Sequence, residues 1–561
     1  MSGGVSGARP GAARIDPGEA ASIGQQAAAP AANECPAGPA PVAPRALRES
    51  AGGLPPADAA AVRLESRLPK PPAAPPVSLA KAEADAKTLY KAMKGLGTDE
   101  DAIYKVLENR SPAELQAIEA AFARKYKSEG RAWASLRIAL HDEMSGKELD
   151  RALEALDRGR PAIGSPEFQK ILDAETGSVA RPGSPSRMLF DGAQSFAERF
   201  KLIENAKESI HLQTFIFADD DTGWKTARAL VDAAKRGVDV RLIYDAKGTI
   251  LSKNEIFDFM KKGGVDIKVH APLHELNDLN NSWHEKNMVV DGKAAILGGM
   301  NIGNEYAYGG SGISSVRMAT GGSGPPWRDT DILVQGPAVG DAQAAFIKNW
   351  ESLGGKIAPA ERKRLLTPPP PEKGAGSSTV RIVQHRPDED GDGHTKALYL
   401  QAIRSATESI TIENAYFVPP PEIKEALIDA AKRGVEVKLL TNSYASNDVK
   451  IITDASRYHF DELLAAGVRI YERQNATVHA KTATFDGRLS IVGSLNLNGR
   501  SDNLDSESAA VVDDPAVAAA NERRFATGLP EATEVTSATL AKEGVFTNLK
   551  QWALSFLQWT F

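Results

Sequence analysis

The residues best suited to catalysis occur twice in this chain, with the same spacing. Both copies have the form His-x-Lys-x4-Asp, and each residue of the second copy lies 195 positions after its counterpart. The copies consist of His284, Lys286 and Asp291, and of His479, Lys481 and Asp486. On an extended strand, positions i and i+2 face the same side, so each copy places an imidazole beside an ammonium group. Because chance rarely produces such a motif twice in register with matching neighbours, the spacing indicates a duplicated catalytic unit.

Each copy is followed by a glycine-containing segment that ends in asparagine. One segment runs through Gly299 to Asn301, and the other runs through Ser494 to Asn496. Glycine permits a turn or a close backbone approach, which leaves the asparagine amide able to donate hydrogen bonds. We therefore predict that both asparagines belong to the site and that Gly299 and Ser494 contact the substrate. Because Gly299 lacks the hydroxyl of Ser494, the two halves are not equivalent.

A carboxylate occupies a matching position in each half. Asp329 precedes Pro337 by eight residues, and Glu507 precedes Pro515 by eight residues. A carboxylate that accepts the second N–H of an imidazole fixes its tautomer and raises its nucleophilicity. Asp329 and Glu507 are candidates for that role.

Brought together about a pseudo-twofold axis, these groups suit a single phosphodiester. Cationic and amide donors would hold the phosphoryl oxygens, one imidazole would attack phosphorus, and the other would protonate the leaving alcohol. The residues leave open which histidine is the nucleophile. Asp291 and Asp486 also have two interpretations, as catalytic groups or as residues that hold a local turn.

The elements around the motifs repeat as well. Similar segments, Ala206–Ile210 and Ala406–Ile410, each open a buried strand, and the matching segments Ala234–Val238 and Ala431–Val435 each end a helix before the next strand. Alternation of strand, helix and strand predicts βαβ units. We expect an α/β fold with two duplicated halves, 186–358 and 379–530, whose mixed, mainly parallel sheets pack about a pseudo-twofold axis.

The remaining domain boundaries are predicted from the composition of the chain. Ala, Gly and Pro dominate the first 78 residues, which can bury too little apolar surface to offset their ordering entropy. Apolar residues at helical spacing follow. The predicted parts are a disordered tail at 1–78, an all-α unit at 79–158, linkers at 159–185 and 359–378, and an aromatic amphipathic tail at 531–561. That last tail is either a helix docked on the catalytic core or a membrane-interface anchor.

The paired motifs and their Gly-Gly-x-Asn and Gly-Ser-x-Asn followers resemble the phospholipase D superfamily. The segments Asn301–Tyr306 and Ile412–Pro419 most resemble its phospholipase D and cardiolipin synthase-like bacterial members. The resemblance implies a covalent phosphohistidine that water or another alcohol then resolves, with no metal or other cofactor for the chemistry. It also implies that His284 is the nucleophile and His479 the general acid and then base, an assignment that can be reversed.

Residues Ala86–Ile103 resemble an annexin repeat, and the match continues to Lys147. In such a repeat, glycines expose successive carbonyls and a later carboxylate completes an oxygen shell for calcium. The resemblance implies that calcium bridges this unit to anionic lipid, held by the carbonyls of Met93, Gly95 and Gly97 and by the side chain of Glu143. Only one repeat is recognisable, and the stretch around Lys125–Trp133 is longer than usual. The alternative is a helical adaptor that has lost calcium binding.

Charge and cysteine content exclude several classes of protein. The net charge of −6 argues against a protein that wraps nucleic acid by bulk electrostatics. The single Cys35 excludes an intramolecular disulfide framework and a thiolate metal cluster. No apolar run reaches the roughly 18 residues that span a bilayer, and no signal-peptide pattern is evident. We expect a cytoplasmic or peripheral membrane protein, with signal-peptide-independent export as an effector as the alternative.

Together these features predict a phospholipase D-type phosphodiesterase or phosphatidyltransferase that acts on membrane phospholipids, with water or an alcohol as the acceptor. A nuclease is one alternative, because the same groups accept any phosphodiester. A non-catalytic membrane-binding protein is another. The motifs define neither the lipid head group nor the oligomeric state.

Overall fold

A computed structural model describes residues 78–95, 97–130, 133, 135–157, 160–271, 281–307, 327–370, 378–387 and 393–540. All of them belong to the second of the two units into which the chain divides, Pro76–Phe561. The predicted tail up to residue 77, which contains Cys35, lies outside the described residues. So do residues 541–561 of the predicted aromatic tail. No helix among the described residues combines the length and the apolar character needed to cross a membrane.

The annexin-like unit is a bundle of short helices around one apolar core. Its helices are α1 (Leu79–Met93), α2 (Glu100–Leu107), α3 (Pro112–Tyr126), α4 (Leu136–Glu143) and α5 (Gly146–Asp157). The side chains of Ser78, Asp99 and Ser135 cap the first turns of α1, α2 and α4 by accepting backbone N–H groups. Leu89 and Phe122 are fully buried in the core.

The predicted linker 159–185 contains regular structure, which corrects that prediction. Helix α6 (Pro166–Thr176) begins at Ser165, whose side chain accepts the N–H of Phe168, and it has proline in its first turn. Phe168 and Leu172 are one helical turn apart and are buried in the core of the second half. Phe168, Ile171 and Leu172 have helical spacing, but the Gly, Ser and Pro residues on both sides of them favour a linker in the sequence.

The first half forms a seven-stranded sheet with helices around it. The strand order is β2-β9-β8-β7-β3-β4-β5. Its strands are β2 (Ser186–Phe190), β3 (Ser209–Thr214), β4 (Asp239–Asp245), β5 (Asp266–His270), β7 (Asn287–Val290), β8 (Ala294–Gly298) and β9 (Thr330–Gln335), and β6 (Ser282–Trp283) leaves this sheet for the other. Its helices are α7 (Asp191–Asn205), α8 (Asp221–Lys235), α9 (Asn254–Lys262), α10 (Asn304–Ala307) and α11 (Val339–Ser352), and α12 (Pro359–Leu365) follows within the predicted linker 359–378.

The second half repeats this sheet and extends it. The order is β1-β10-β16-β15-β14-β11-β12-β13-β17, with β6 paired to β16. Its strands are β1 (Arg181–Pro182), β10 (Thr379–His385), β11 (Ser409–Asn414), β12 (Glu436–Asn442), β13 (Arg469–Arg473), β14 (Lys481–Phe485), β15 (Leu489–Gly493), β16 (Asp505–Asp513) and β17 (Ala532–Val535). Its helices are α13 (His394–Ser405), α14 (Pro421–Lys432), α15 (Lys450–Arg457), α16 (Phe460–Ala465), α17 (Gly499–Asn503), α18 (Pro515–Gly528) and α19 (Ser537–Leu540).

The duplicated α/β fold is confirmed, but the sheets are mixed rather than mainly parallel. In the first sheet, only β3, β4 and β5 run parallel to one another, and the remaining neighbours are antiparallel. The second sheet repeats this pattern in β11, β12 and β13. The Asp-Gly pairs at 291–292 and 486–487 have positive φ at both residues, which favours tight hairpins. The βαβ crossovers predicted from the repeated segments are present, and antiparallel hairpins supply the other strands of each sheet.

Residues 532–540 are also part of the fold, which corrects the first portion of the predicted C-terminal tail. Strand β17 pairs antiparallel with β13 at the edge of the second sheet. Glu534 accepts a hydrogen bond from Arg469 at 2.9 Å, and Val535 is buried. The described start of that tail is therefore an edge strand.

The two halves share an apolar core and exchange backbone pairs. Buried residues of both sheets form one cluster that includes Val289, Leu297, Val334, Val380, Val492 and Val512. Strand β6 of the first half pairs in parallel with β16 of the second, and Arg328 forms a bridge with Val478. These contacts bring the two His-x-Lys segments to one interface.

The annexin-like unit is fastened to the second half by buried charges. Arg137 of α4 is buried and pairs with both Asp157 and Asp429, the latter on α14. One turn later, His141 Nε2 lies 3.0 Å from Asp429 Oδ1. Burial raises the pKa of Asp429, but Arg137 and His141 outweigh it and lower that pKa to about 2. This unit is therefore docked on the second half.

Candidate active site

The ends of matching strands hold the segments that carry the two histidines. Asp245, at the end of β4, accepts the N–H of Trp283 at 2.9 Å. Asn442, at the end of β12, accepts the N–H of Val478 at 2.7 Å and donates to its carbonyl at 2.7 Å. Trp283 and Val478 each directly precede a motif histidine. The ends of β4 and β12 therefore fix the position of the backbone that carries each imidazole. Sequence reasoning missed both Asp245 and Asn442.

Each imidazole is hydrogen-bonded to a carboxylate of the opposite half. His284 Nδ1 lies 3.1 Å from both carboxylate oxygens of Glu507. His479 Nδ1 lies 2.8 Å from Asp329 Oδ2. The structure thus brings together all four residues, with each pair crossing the interface between the halves. With Nδ1 engaged by a carboxylate, Nε2 is the nitrogen left for chemistry.

Backbone hydrogen bonds also join each histidine to the opposite half. The N–H of His284 donates to Ser506 at 2.9 Å, and the N–H of His479 donates to Arg328 at 2.8 Å. Both acceptors directly precede the carboxylate residues that bind the imidazoles. Each histidine is therefore held at two points by a single segment of the other half.

Burial controls the protonation of the site. Burial, and then the charges of Lys286 and Lys481, lower the pKa of His284 and of His479 well below the ordinary value. Because both lysines act on both imidazoles, the four groups share one electrostatic environment. Burial also lowers the pKa of Lys286 to about 7 and that of Lys481 to about 8. Without a bound anion these effects favour the neutral form of both imidazoles, and the negative charge of a bound group would oppose them.

The lysines lie beside their own histidines. Lys286 Nζ donates to the carbonyl of His284. Lys481 Nζ donates to the carbonyl of His479 at 2.5 Å and lies 3.0 Å from both ring nitrogens. The i, i+2 geometry of an extended segment thus keeps each ammonium close to its own histidine, where it could neutralise the negative charge of a phosphoryl oxygen.

The two predicted asparagines have different environments. Asn301 is buried, accepts the N–H of Ile216 at 3.0 Å and donates to the hydroxyl of Tyr306 at 2.8 Å. Asn496 is equally buried, but its Oδ1 has no hydrogen-bond partner among the described residues. The first amide is committed to the protein, whereas the second retains capacity for a bound group.

Gly299 and Ser494, which the sequence predicts to contact the substrate, lie against the carboxylates of Asp329 and Glu507. A Cβ on Gly299 would lie 2.1 Å from Asp329 Oδ1, so only glycine leaves room for that carboxylate. The fully buried hydroxyl of Ser494 donates to Glu507 Oε2 and accepts the N–H of Ser508 at 3.1 Å. Both positions lie behind a carboxylate because the following strand brings Asp329 or Glu507 against them.

Asp291 and Asp486 hold local turns, as the alternative interpretation stated, and their assignment as catalytic groups is corrected. Asp291 accepts the backbone N–H groups of residues 207, 208 and 209 at 2.7 to 3.1 Å. Asp486 accepts those of residues 407, 408 and 409 in the same way. Each carboxylate lies at the far end of its strand, about 16 Å from the motif lysine at the usual rise per residue.

Aromatic rings that the sequence did not single out surround the imidazoles. The Trp327 ring stacks on His479 with centroids 5.1 Å apart. Tyr306 and Tyr416 approach His479 edge-on at 5.2 and 6.3 Å, and Phe215 approaches His284 at 5.1 Å. Tyr306 and Tyr416 lie in the segments Asn301–Tyr306 and Ile412–Pro419, so the family resemblance of those segments was the available signal.

The predicted calcium ligands lie on neighbouring segments. Helix α1 ends at Met93, and Gly95 and Gly97 follow with positive φ. The Thr98 hydroxyl donates to the Glu143 carbonyl at 2.9 Å, so the glycine loop adjoins the end of α4 despite the longer connection. Among the described residues, no cluster of three His, Cys, Asp or Glu side chains could hold a metal. An ion here would depend mainly on carbonyl oxygens, which suit calcium.

We expect Asp486→Ala to lower the free energy of unfolding by about 2–3 kcal/mol, because it removes a charged acceptor and puts alanine at positive φ. Denaturant unfolding measures this loss, and Asp486→Asn, which tolerates positive φ, should cost less. Turnover per folded molecule should stay within about twofold of wild type, because a turn residue does not touch the reacting atoms. A tenfold loss of turnover with unchanged stability would restore the catalytic interpretation.

The matches to known protein families include both duplicated halves of this chain. Residues 200–308 and 399–528 match the family model described as "Cardiolipin synthase, PLD-like domain". Residues 84–147 match the annexin model. The solved phosphatidylserine synthase of Haemophilus influenzae Rd KW20 superimposes with a TM-score of 0.54 at 16% identity, covering 70% of this chain and 99% of that one. At that identity, the likeness shows the fold alone.

Curated relatives cover both halves. The cardiolipin synthase of Geobacillus kaustophilus (strain HTA426) is 34% identical over 331 residues, which span 58% of this chain and 62% of that protein. The probable cardiolipin synthase YwiE of Bacillus subtilis (strain 168) is 32% identical over 372 residues, which span 65% of this chain and 70% of that protein. The chain thus matches about three fifths of the length of the first relative. It belongs to the phospholipase D-like family that the matched model describes as cardiolipin synthase.

Proposed function

We propose that this chain transfers phosphatidyl groups between membrane lipids and alcohol acceptors through a covalent phosphohistidine. The crossed pairs His284–Glu507 and His479–Asp329, buried together with two lysines, carry the proposal. The names of the relatives support a phospholipid substrate, because they are cardiolipin synthases. An alcohol that itself belongs to a phospholipid head group is the acceptor class that fits those names.

The proposed reaction has two displacements at phosphorus. The negative charge of the bound phosphodiester favours a protonated His479. In the first displacement, Nε2 of His284 forms a bond to phosphorus while the bond to the leaving alcohol breaks, and His479 gives that alcohol its Nε2 proton. In the second, His479 takes the proton of the incoming alcohol as its oxygen attacks phosphorus, and the bond to His284 breaks. Water in place of the alcohol would give hydrolysis. The mirrored assignment, with His479 as nucleophile, uses the same groups.

The surrounding residues have separate tasks in this scheme. Glu507 and Asp329 hold the imidazole tautomers that leave Nε2 reactive. Lys286 and Lys481, as ammonium ions, neutralise the phosphoryl oxygens as charge develops on them. Burial of the site strengthens these interactions by excluding water.

We expect purified protein mixed with phospholipid vesicles and excess glycerol to form phosphatidylglycerol or related products, measured by mass spectrometry. His284→Ala and His479→Ala should each lower turnover by about 1,000-fold or more, since groups that act as one unit are not additive. His459→Ala, at a buried histidine outside the site, is the matched control and should keep turnover. Cleavage of nucleic acid without lipid turnover would contradict the proposal and favour the nuclease.

We expect kcat/KM to fall as pH rises through about 7, because burial holds the pKa of Lys286 at about 7 and its ammonium form is required. Arginine stays protonated well above that pH, so Lys286→Arg should move the alkaline limb up to about 8, where Lys481 loses its proton, at a lower maximum rate. Rate profiles over pH 6–10 measure this shift. An unchanged alkaline limb in Lys286→Arg would show that another group sets it.

The annexin-like unit is proposed to add a calcium-dependent membrane contact. The carbonyls of Met93, Gly95 and Gly97 and the Glu143 side chain would hold the ion, which when bound supplies positive charge for lipid phosphate. The positive-φ glycines and the Thr98–Glu143 hydrogen bond support this donor set.

We expect Glu143→Gln to abolish calcium binding measured by calorimetry and to lower calcium-dependent co-sedimentation with anionic vesicles by about tenfold. Glu148→Gln, at an exposed carboxylate on α5, is the matched control. Wild-type protein that binds no calcium would instead identify the unit as a helical adaptor.

A further inference from the structure

Two equivalent loops carry most of the exposed aliphatic surface of the described chain. The first rim loop, residues 246–253, follows β4, and the second, residues 443–451, follows β12 and includes the first two residues of α15. Ile250 and Leu251 are 59% and 44% exposed, and Val449 and Ile451 are 37% and 38% exposed. Of the seven large apolar side chains that are exposed in the described residues, these loops hold four. Single exposed apolar residues are common, but two matching pairs call for a cause.

The first rim loop is fixed against the His284 side of the site. A Cβ on Gly248 would lie 2.3 Å from the Phe215 carbonyl and 2.8 Å from its ring, so the loop backbone lies directly on Phe215. Thr249 donates to the Phe215 carbonyl at 3.2 Å, and Ser252 donates to that of Phe217 at 2.7 Å. Phe215 in turn packs edge-on against His284.

The second rim loop is fixed against the His479 side at the matching place. The Tyr416 hydroxyl donates to Asp448 at 2.8 Å, and the Tyr416 ring packs edge-on against His479. Ile452, just beyond the loop, is buried with Val418. Each loop therefore rests on the segment after the first parallel strand of its half, and both border the site.

The exposed charges of these loops are basic. Lys253 follows Ile250 and Leu251 and is largely exposed, although it lies 3.7 Å from Asp219, and Lys450 is exposed between Val449 and Ile451. Asp448, the acidic residue of the second loop, is partly buried and bound to Tyr416. Aliphatic side chains flanked by lysines suit the boundary between acyl chains and anionic head groups.

We propose that the two rim loops insert their aliphatic side chains into an anionic phospholipid surface and so direct the active-site opening at the bilayer. This contact needs no calcium and is separate from the annexin-like unit. The proposal rests on the proposed function, because it names the surface from which that site would draw its substrate.

The test uses full-length protein in chelator, so that no calcium-dependent contact contributes. Vesicles of phosphatidylglycerol and phosphatidylcholine are sedimented with wild type, with Ile250→Ser plus Leu251→Ser, and with Val449→Ser plus Ile451→Ser. We expect each double variant to bind about tenfold more weakly, since each removes two partly inserted aliphatic groups. Val179→Ser, at an exposed aliphatic residue before β1, is the matched control and should bind like wild type.

Turnover of a short-chain phospholipid below its micelle concentration separates membrane contact from chemistry. The double variants should keep that turnover within about twofold of wild type while losing turnover on vesicles. Unchanged vesicle binding in both double variants would overturn the proposal, as would equal losses on vesicles and on the dispersed lipid. Wild-type protein that turns over neither substrate would contradict the proposed function, and the sedimentation comparison would still decide the role of the loops.

Discussion

Each active-site imidazole is hydrogen-bonded to a carboxylate of the other half, so neither half can complete a histidine–carboxylate pair alone. The four groups are almost fully buried, and removing one partner of such a pair would leave an uncompensated polar group or charge, at a cost of about 3–5 kcal/mol. Burial of this kind requires the halves to be docked tightly. The shared apolar core and the β6–β16 pairing provide that docking. The interface is therefore part of the site, and its packing serves the chemistry.

The two halves place a carboxylate at equivalent positions but accommodate its side chain differently. In one half, the short Asp329 side chain fits because Gly299 has no side chain opposite it. In the other, the longer Glu507 is steadied by the Ser494 hydroxyl. The surroundings of the imidazoles also differ, since His479 contacts three aromatic rings and His284 contacts one among the described residues. Two displacements that need one nucleophile and one acid are better served by unequal sites than by a symmetric pair.

The sequence allowed the repeated motif, the duplicated α/β halves and the candidate carboxylates to be predicted, because all of these are patterns of spacing within one half. It could not show that Asp329 and Glu507 cross to the opposite histidine, because that depends on how two distant segments dock. For the same reason the sequence could not show that Ser494 supports Glu507, since the strand that brings them together is a tertiary contact. The helical spacing of Phe168, Ile171 and Leu172 in α6 is obscured by the Gly, Ser and Pro residues on both sides of it. The strand directions were misjudged because the Asp-Gly hairpins were not weighed against the βαβ pattern.

The docking of the annexin-like unit restricts the direction of any membrane contact made through it. Glu143, at one end of α4, adjoins the glycine loop, while Arg137 and His141 of the same two-turn helix hold Asp429 on α14. Helix α14 leads into β12, whose last residue, Asn442, hydrogen-bonds to Val478, the residue before His479. Because buried ion pairs join these elements, the glycine loop cannot reorient independently of the second half. A membrane bound through the calcium loop that we propose would therefore meet the second half, and with it His479, in one orientation.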